Sequence, residues 1–309
     1  MQDESRQWMR WTFSEAGTKT LSKILQKVAG NLTSSFAHTF LVTLIVGLIQ
    51  SLAGACIACI RKTPFIPSSK HVIGSCLFGV CAVIATVLGL AAFQYGASMS
   101  VNVFLISLSI VPGALIDQLF FGHRLRLREW SGVILGIMAG YAVLDWPSLK
   151  DLLTLPVWVW FSLGNMLAVA INQGITQRIK KTDGFIHNFW GGITTVICSV
   201  GALLIMGNIS LLFDISDAAR MLWFVSIMSG ALVVAMWTFN LLSYREGAHI
   251  AIKKLVMNGS YLSTSVLAGI IIFSEALTLG KITGIALYVG AFVLMDKGTW
   301  NAITHSSSA

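Results

Sequence analysis

Apolar residues fill this chain in long blocks, separated by short polar loops, from about His38 to Met295. Each block has about twenty residues, the length of helix that a bilayer core requires. Inside hydrocarbon the backbone must satisfy its own hydrogen bonds, which a helix does. The pattern predicts nine membrane-spanning helices, at residues 38–60, 72–93, 100–121, 130–145, 154–175, 185–206, 219–241, 252–273 and 282–295.

The first 35 residues show a different pattern. Apolar positions recur at helical spacing, while Lys19, Lys23 and Lys27 lie on another face. One interpretation is an amphipathic helix at the membrane surface. The other is a polar first span from about Trp8 to Val28, which would bury lysines at roughly 2.5–3.5 kcal/mol each unless partners stabilise them.

Basic residues are concentrated in every second loop, which is the pattern of loops facing the cytoplasm. This places the C-terminus inside, and a tenth span would return the N-terminus to the same side. We therefore favour ten spans with both termini cytoplasmic. The basic loops carry Arg61, Lys62, Lys70, Arg124, Arg126, Arg128, Arg178, Lys180, Lys181, Arg245 and Lys297, and the other loops carry Lys150, Arg220 and Lys281.

Composition agrees with a membrane protein. The chain is 55% hydrophobic and 11% charged, whereas soluble domains have roughly 25% charged residues. The net charge of +8 is explained by the basic loops and does not predict nucleic-acid binding. Cys56 and Cys59 have a Cys-x-x-Cys spacing, but there is no second pair, and the histidines show no metal-ligand spacing. We therefore expect no cofactor, no metal and no enzymatic activity.

Two segments of the chain resemble each other. Residues 122–145, GHRLRLREWSGVILGIMAGYAVLD, and residues 274–296, SEALTLGKITGIALYVGAFVLMD, pair Leu125 with Leu277 and Gly132 with Gly284. Two copies with five spans each would insert in opposite directions, which gives an inverted repeat. The predicted fold is an all-α membrane protein of about ten helices, with repeats at 8–148 and 153–297 and a cytoplasmic tail at 298–309.

These paired segments carry a family resemblance. Residues 98–144 and 247–295 resemble the fourth-to-fifth and ninth-to-tenth spans of the drug/metabolite transporter superfamily. In that family an apolar helix ends in a Gly/Ser-Glu-x-Leu turn that precedes a glycine-rich helix. Ser274-Glu275-Ala276-Leu277 fits this turn, whereas Gly122-His123-Arg124-Leu125 has histidine where glutamate is usual.

The resemblance implies a ten-helix secondary carrier for a small-molecule solute. The superfamily includes EamA-type metabolite exporters and nucleotide-sugar and triose-phosphate exchangers. In its phosphate-exchanging members a basic residue near the start of the ninth span contacts substrate, which points to Lys253 or Lys254 here. A non-transporting membrane scaffold and a membrane-embedded enzyme are the alternative functions.

The residues of the ninth span give an independent argument. Lys254, Asn258 and Tyr261 are spaced to lie on one helical face, next to Lys253. Lysines at a helix N-terminus meet the positive end of the dipole unless an anion is present. The pattern favours an anionic or phosphorylated solute. The alternative is that both lysines are ordinary flanking residues on the cytoplasmic side.

Other polar residues inside apolar runs either contact solute or hydrogen-bond between helices. Asp117 either couples transport to protons or pairs with Arg124 or Arg126. The remaining candidates for solute binding are Asn102, Asn165, Asn172 and Asn240.

The expected partners are the solute and membrane lipid, and a homodimer is left open. We expect the cell (inner) membrane, with an organellar membrane as the alternative.

Overall fold

A computed structural model describes residues 4–122, 126–148, 151, 154–214, 216–248 and 250–295, without the side chains of 4–6, 251, 252, 254, 255, 292 and 295. These described residues form helices and no strands. The helices are α1 Glu4–Leu32, α2 Phe36–Ile60, α3 Ser69–Gln94, α4 Met99–Ser107, α5 Ile110–Phe121, α6 Leu127–Val143, α7 Val157–Arg178, α8 Gly184–Ile205, α9 Asp217–Arg245, α10 Ile250–Phe273 and α11 Leu279–Met295, with a 3-10 turn at Ile209–Phe213.

The prediction of an all-α fold is confirmed for the described residues, and six helical segments are long and apolar enough to cross a bilayer, as a membrane protein requires. They are Phe36–Ile60, Ser69–Gln94, Met99–Phe121, Gly184–Ile205, Asp217–Arg245 and Val256–Phe273. The other predicted spans are helical as well, but α6 and α11 have 17 residues each. Helix α7 has 22 residues, and Asn165, Asn172 and Gln173 reduce its apolar character.

The N-terminal segment forms the single helix α1, which packs against α3, α9 and α10. Its Glu15, Lys23 and Lys27 are buried by these neighbours. Phe13 and Leu21, in contrast, are more than half exposed. These three charged residues therefore face the bundle and some apolar residues of α1 face outward, the reverse of the usual soluble arrangement.

The predicted span 100–121 is interrupted between α4 and α5. Pro112 lies four residues after Leu108, and a proline has no N–H to donate to that carbonyl and its ring clashes with it. The chain instead makes a tighter turn, in which the N–H of Val111 donates to the carbonyl of Leu108 over 2.9 Å. Ser107, just before the break, leaves its own carbonyl free for another helix.

The helices pack in a regular pattern of pairs. Helix α2 packs along α8, and α6 packs along α11. Helix α1 packs on α9 and α10, while α7 packs on α3 and on α4 and α5. Contacts of α3 with α8 and of α2 with α9 close the bundle.

Three glycines allow α2 and α8 to approach closely. A Cβ added at Gly54 would lie 2.6 Å from both the carbonyl oxygen of Phe185 and the amide nitrogen of Phe189. A Cβ added at Gly192 on α8 would lie 2.5 Å from the amide nitrogen of Ser51 on α2, and Gly47 on α2 faces α8. Small residues at such crossings are typical of membrane helices, which gain stability from close backbone packing.

We expect Gly54→Ala to destabilise the protein by about 1–3 kcal/mol, because the new methyl group meets backbone atoms that cannot rotate away. The comparison is Gly17→Ala on α1, where nothing lies within 4 Å of the added Cβ. That variant should be stabilised by up to about 1 kcal/mol, since alanine favours a helix over glycine. Unfolding in detergent measures both, and equal effects of the two substitutions would contradict the close crossing.

Several expectations fall outside the described residues. They concern the side chain of Lys254, the turn residues His123, Arg124 and Leu125, and the tail at 298–309. The proposed pairing of Asp117 with Arg124 belongs with them.

Candidate functional site

A cavity of about 70 Å³ lies in the middle of the bundle, where eight helices meet. A space of this size holds a few water molecules or a small ion. A metabolite would need the surrounding side chains or helices to move. Its walls are formed by Glu15, Lys19, Ser22, Lys23, Gln26, Val46, Gln50, Ala82, Ala85, Thr86, Ile106, Asn165, Val169, Gln173, Thr195, Val233, Met236, Trp237 and Tyr261.

The charged residues of the cavity come from one stripe on α1. Glu15, Lys19, Lys23 and Lys27 are four residues apart, a spacing that keeps side chains on one side of a helix. At 1.5 Å per residue, Glu15 and Lys27 are about 18 Å apart along the helix axis. Lys19 and Lys23 lie between them and line the cavity.

One end of the stripe is held by a buried ion pair. Nζ of Lys253 on α10 lies 2.8 Å from Oε2 of Glu15, and both side chains are at most 2% exposed. The amide nitrogen of Asn240 donates to Oε1 of Glu15 over 2.8 Å and to Oε1 of Gln173 over 3.1 Å. The hydroxyl of Tyr244 donates to the same oxygen of Gln173. These five residues, here called the Glu15 cluster, tie α1, α7, α9 and α10 together.

The other end of the stripe is held by Glu275, in the segment between α10 and α11. Its Oε1 lies 2.7 Å from Nζ of Lys27 and accepts from the N–H of Met99. Its Oε2 accepts from the N–H and the hydroxyl of Ser100 and lies 3.8 Å from Nζ of Lys281. These residues are here called the Glu275 cluster.

The Glu275 carboxylate is held at the N-terminus of α4, where the helix dipole favours a negative charge. Burial raises the pKa of Glu275, but the hydrogen bonds from Lys27, Ser100 and Met99 outweigh it and bring the pKa below its usual value. A group with a lowered pKa stabilises the fold while it is ionised. The contribution of the ionised Glu275 to the stability of the fold is therefore fully present above pH 4.5, the ordinary pKa of a glutamate. It is lost as the pH falls through the lower pKa that Glu275 has in the folded protein.

Lys19 and Lys23, between the two clusters, have no carboxylate within ion-pair distance in the part of the chain that the structure describes. The ammonium of Lys19 lies 4.4 Å from the ring centroid of Tyr261. That of Lys23 donates to Oε1 of Gln26 over 3.0 Å and lies 5.0 Å from the ring centroid of Phe93. Since Lys253 already pairs with Glu15, the cavity carries an excess of positive charge.

The sequence candidates fall into three groups. Asn165 and Tyr261 line the cavity, and an added Cβ at Gly89 would lie 2.8 Å from Nδ2 of Asn165 and 3.0 Å from Nζ of Lys23. The amide of Asn165 therefore lies close to the ammonium of Lys23. The second group, Lys253 and Asn240, belongs to the Glu15 cluster.

The third group lies outside the cavity wall, and two of its members, Asn258 and Asn102, join helices. Asn258 donates to the carbonyl of Ser107 over 2.9 Å, the carbonyl left free where α4 ends. Asn102 donates to the hydroxyl of Ser162 over 2.8 Å. The amide of Asn172 is buried without a hydrogen-bond partner among the described residues, and Asp117 is buried in α5 away from the cavity wall.

Glu15, Gln173 and Tyr244 belong to this site but are not among the sequence candidates. In the sequence, Lys253 and Lys254 have no carboxylate close by along the chain, and the basic residues of α1 dominate its pattern. A signal was present in the spacing, since Glu15 precedes Lys19 by four residues on the same face. Its partner Lys253, however, is on a helix at the far end of the chain.

No protein-family model matches this chain, and no curated protein sequence matches it. A solved structure described only as "Crystal structure of protein" has the same fold, with a TM-score of 0.64 and 14% sequence identity. The match covers 96% of this chain and 98% of the other. At this identity the likeness shows the fold alone.

Proposed function

We propose that this protein is a secondary carrier that moves a small anionic metabolite across a membrane by alternating access. One observation carries the proposal: two lysines without a carboxylate partner line a central cavity that is bounded by two ion-pair clusters. Leaving a charge in a low-dielectric interior is costly unless a counter-charge is supplied. A carboxylate or phosphate group of a solute would supply it.

The two clusters would act as the closures of the cavity. The Glu15 cluster joins α1 to α7, α9 and α10, and the Glu275 cluster joins α1 to α4 and to the segment before α11. Opening only one cluster would expose the cavity to one side of the membrane. The small volume of the cavity agrees with a state in which both are closed.

The architecture proposed for this carrier has ten crossings in two inverted repeats, as in the drug/metabolite transporter superfamily that the sequence resembles. The first repeat would contain α1, α2, α3, the pair α4–α5, and α6, and the second would contain α7 to α11. The packing pairs support this division. The equivalent helices would be α1 and α7, α2 and α8, α3 and α9, α4–α5 and α10, and α6 and α11. Each contact between the repeats then has a counterpart: α1 packs on α9 as α7 packs on α3, and α1 packs on α10 as α7 packs on α4–α5. In the same way α3 packs on α8 as α9 packs on α2.

In this arrangement the end of the bundle with the basic loops faces the cytoplasm, together with both termini. The Glu15 cluster would then close the cytoplasmic side and the Glu275 cluster the opposite side. The carrier would reside in the cell membrane or in an organellar membrane. Its substrate-contacting residues would be Lys19, Lys23, Asn165 and Tyr261.

The test is counterflow in proteoliposomes, with a panel of phosphorylated and carboxylated metabolites and neutral or cationic solutes of similar size. We expect anionic members to accelerate exchange of a labelled anion and to raise the melting temperature of the purified protein, because a bound ligand stabilises the folded state. Liposomes without protein are the control. Exchange restricted to neutral or cationic solutes would refute the anion assignment, and no exchange with any member would refute the carrier.

A further inference from the structure

A second pocket, of about 230 Å³, lies at the end of the bundle where the basic loops are found. It is separate from the central cavity and shares no lining residue with it. It is bounded by α1, the end of α2, the start of α8 and the last turns of α9. Its lining residues are Trp11, Arg61, Thr182, Asp183, Gly184, Phe185, Thr238, Phe239, Leu241, Leu242 and Arg245.

Two arginines of this pocket form no ion pair with any of the residues that the structure describes. Arg61 caps the C-terminus of α2, and its guanidinium carbon lies 4.7 Å from the ring centroid of Phe185. Arg245 is in the last turn of α9. Neither has a carboxylate within ion-pair distance across the described ranges. The carboxylate of Asp183 accepts instead from the backbone N–H groups of Phe185 and Ile186.

Two polar atoms of the same pocket are buried without a hydrogen-bond partner among the described residues. They are the hydroxyl of Thr182, a residue only 2% exposed, and Nε1 of Trp11. The Trp11 ring stacks on Phe239 with centroids 5.7 Å apart, which holds the indole in place. A buried polar atom with no partner is costly and calls for an explanation such as a ligand.

We propose that this pocket binds the phosphate headgroup of an anionic phospholipid. The arginines provide bidentate donors that match phosphate oxygens, and Thr182 and Trp11 provide two further donors. Phe239, Leu241 and Leu242 line the same pocket and present an apolar wall of the kind that accommodates a lipid chain. Basic pockets between helices at the cytoplasmic face are typical sites for anionic headgroups, whereas a soluble anion has no use for the apolar wall.

The experiment uses the full chain in nanodiscs of phosphatidylcholine, with or without phosphatidylglycerol, and measures lipid retention by native mass spectrometry. An Arg61→Gln/Arg245→Gln variant should lose about 25-fold in preference for phosphatidylglycerol, at about fivefold for each arginine. The control is Lys180→Gln/Lys181→Gln, which removes the same charge from the adjacent loop. It should lose much less, because those lysines do not line the pocket.

A Thr182→Val variant tests the site without changing charge. It should reduce retention of phosphatidylglycerol several-fold while the melting temperature in pure phosphatidylcholine stays the same or rises, since an unpartnered hydroxyl has been removed. Equal losses for the arginine and lysine variants, or normal retention by Thr182→Val, would overturn the proposal. So would equal stabilisation by inorganic phosphate in phosphatidylcholine, which would assign the pocket to a soluble anion.

Discussion

A Glu15→Gln variant is expected to lose about 3–5 kcal/mol of unfolding free energy, because it leaves the ammonium of Lys253 buried with no carboxylate. Glutamine has the size of glutamate, so the loss would come from the charge and not from a new cavity. Lys253 is completely buried, and it also donates to the side-chain oxygen of Gln173 over 3.5 Å and to the backbone carbonyl of Asn240 over 3.3 Å. Neither neutralises the ammonium.

The double variant Glu15→Gln/Lys253→Met separates the lost pair from the buried charge. It should recover most of the stability, since replacing both members of a buried ion pair by uncharged groups is often neutral. The control is Asp217→Asn, which breaks the pair of Asp217 and Arg220, whose side chains are 99% and 71% exposed. That substitution should change stability little. Denaturant unfolding in detergent measures all three, and a Glu15→Gln effect as small as that of Asp217→Asn would show that the pair is not buried.

A Lys23→Gln variant is expected to bind and exchange the anionic solute at least about 30-fold more weakly. Removing one partner of a buried charge contact costs about 2 kcal/mol or more, which corresponds to this factor. The variant should nevertheless fold at least as well as the original protein. The Lys23 side chain is buried and forms no ion pair with a carboxylate of the described residues, so its removal takes away a desolvated charge.

The matched control is Lys70→Gln, an exposed lysine in the first turn of α3. It removes the same charge from the protein but touches neither the cavity nor a cluster, and we expect solute affinity to remain within about twofold. Both variants are compared by solute-induced shifts in melting temperature and by counterflow. Similar small effects of the two substitutions would mean that Lys23 does not contact the solute, and the anion assignment would fail with it.

The sequence alone predicts most of the helices and an apolar environment for them. Twenty-residue apolar blocks can be stable only as helices in a bilayer, and the charge of short loops indicates which ends face the same side. The four-residue spacing of Lys19, Lys23 and Lys27 determined that they share a face of α1. These conclusions depend on neighbours along the chain, and a helix is specified by local contacts.

Only the tertiary structure decided which faces of different helices pack against each other. Glu15 and Lys253 are on the first helix and the second-last helix, and nothing local to either residue specifies the other. The same holds for the asparagines: Asn165 lines the cavity, whereas Asn102 and Asn258 join helices, although all three lie in similar apolar surroundings along the chain. Helices in a membrane are apolar on every side, so periodicity marks the buried face weakly. Which helix packs against a given face is set by close packing, such as that of Gly54 on the backbone of α8. Close packing depends on the shapes of two segments that are far apart in the chain.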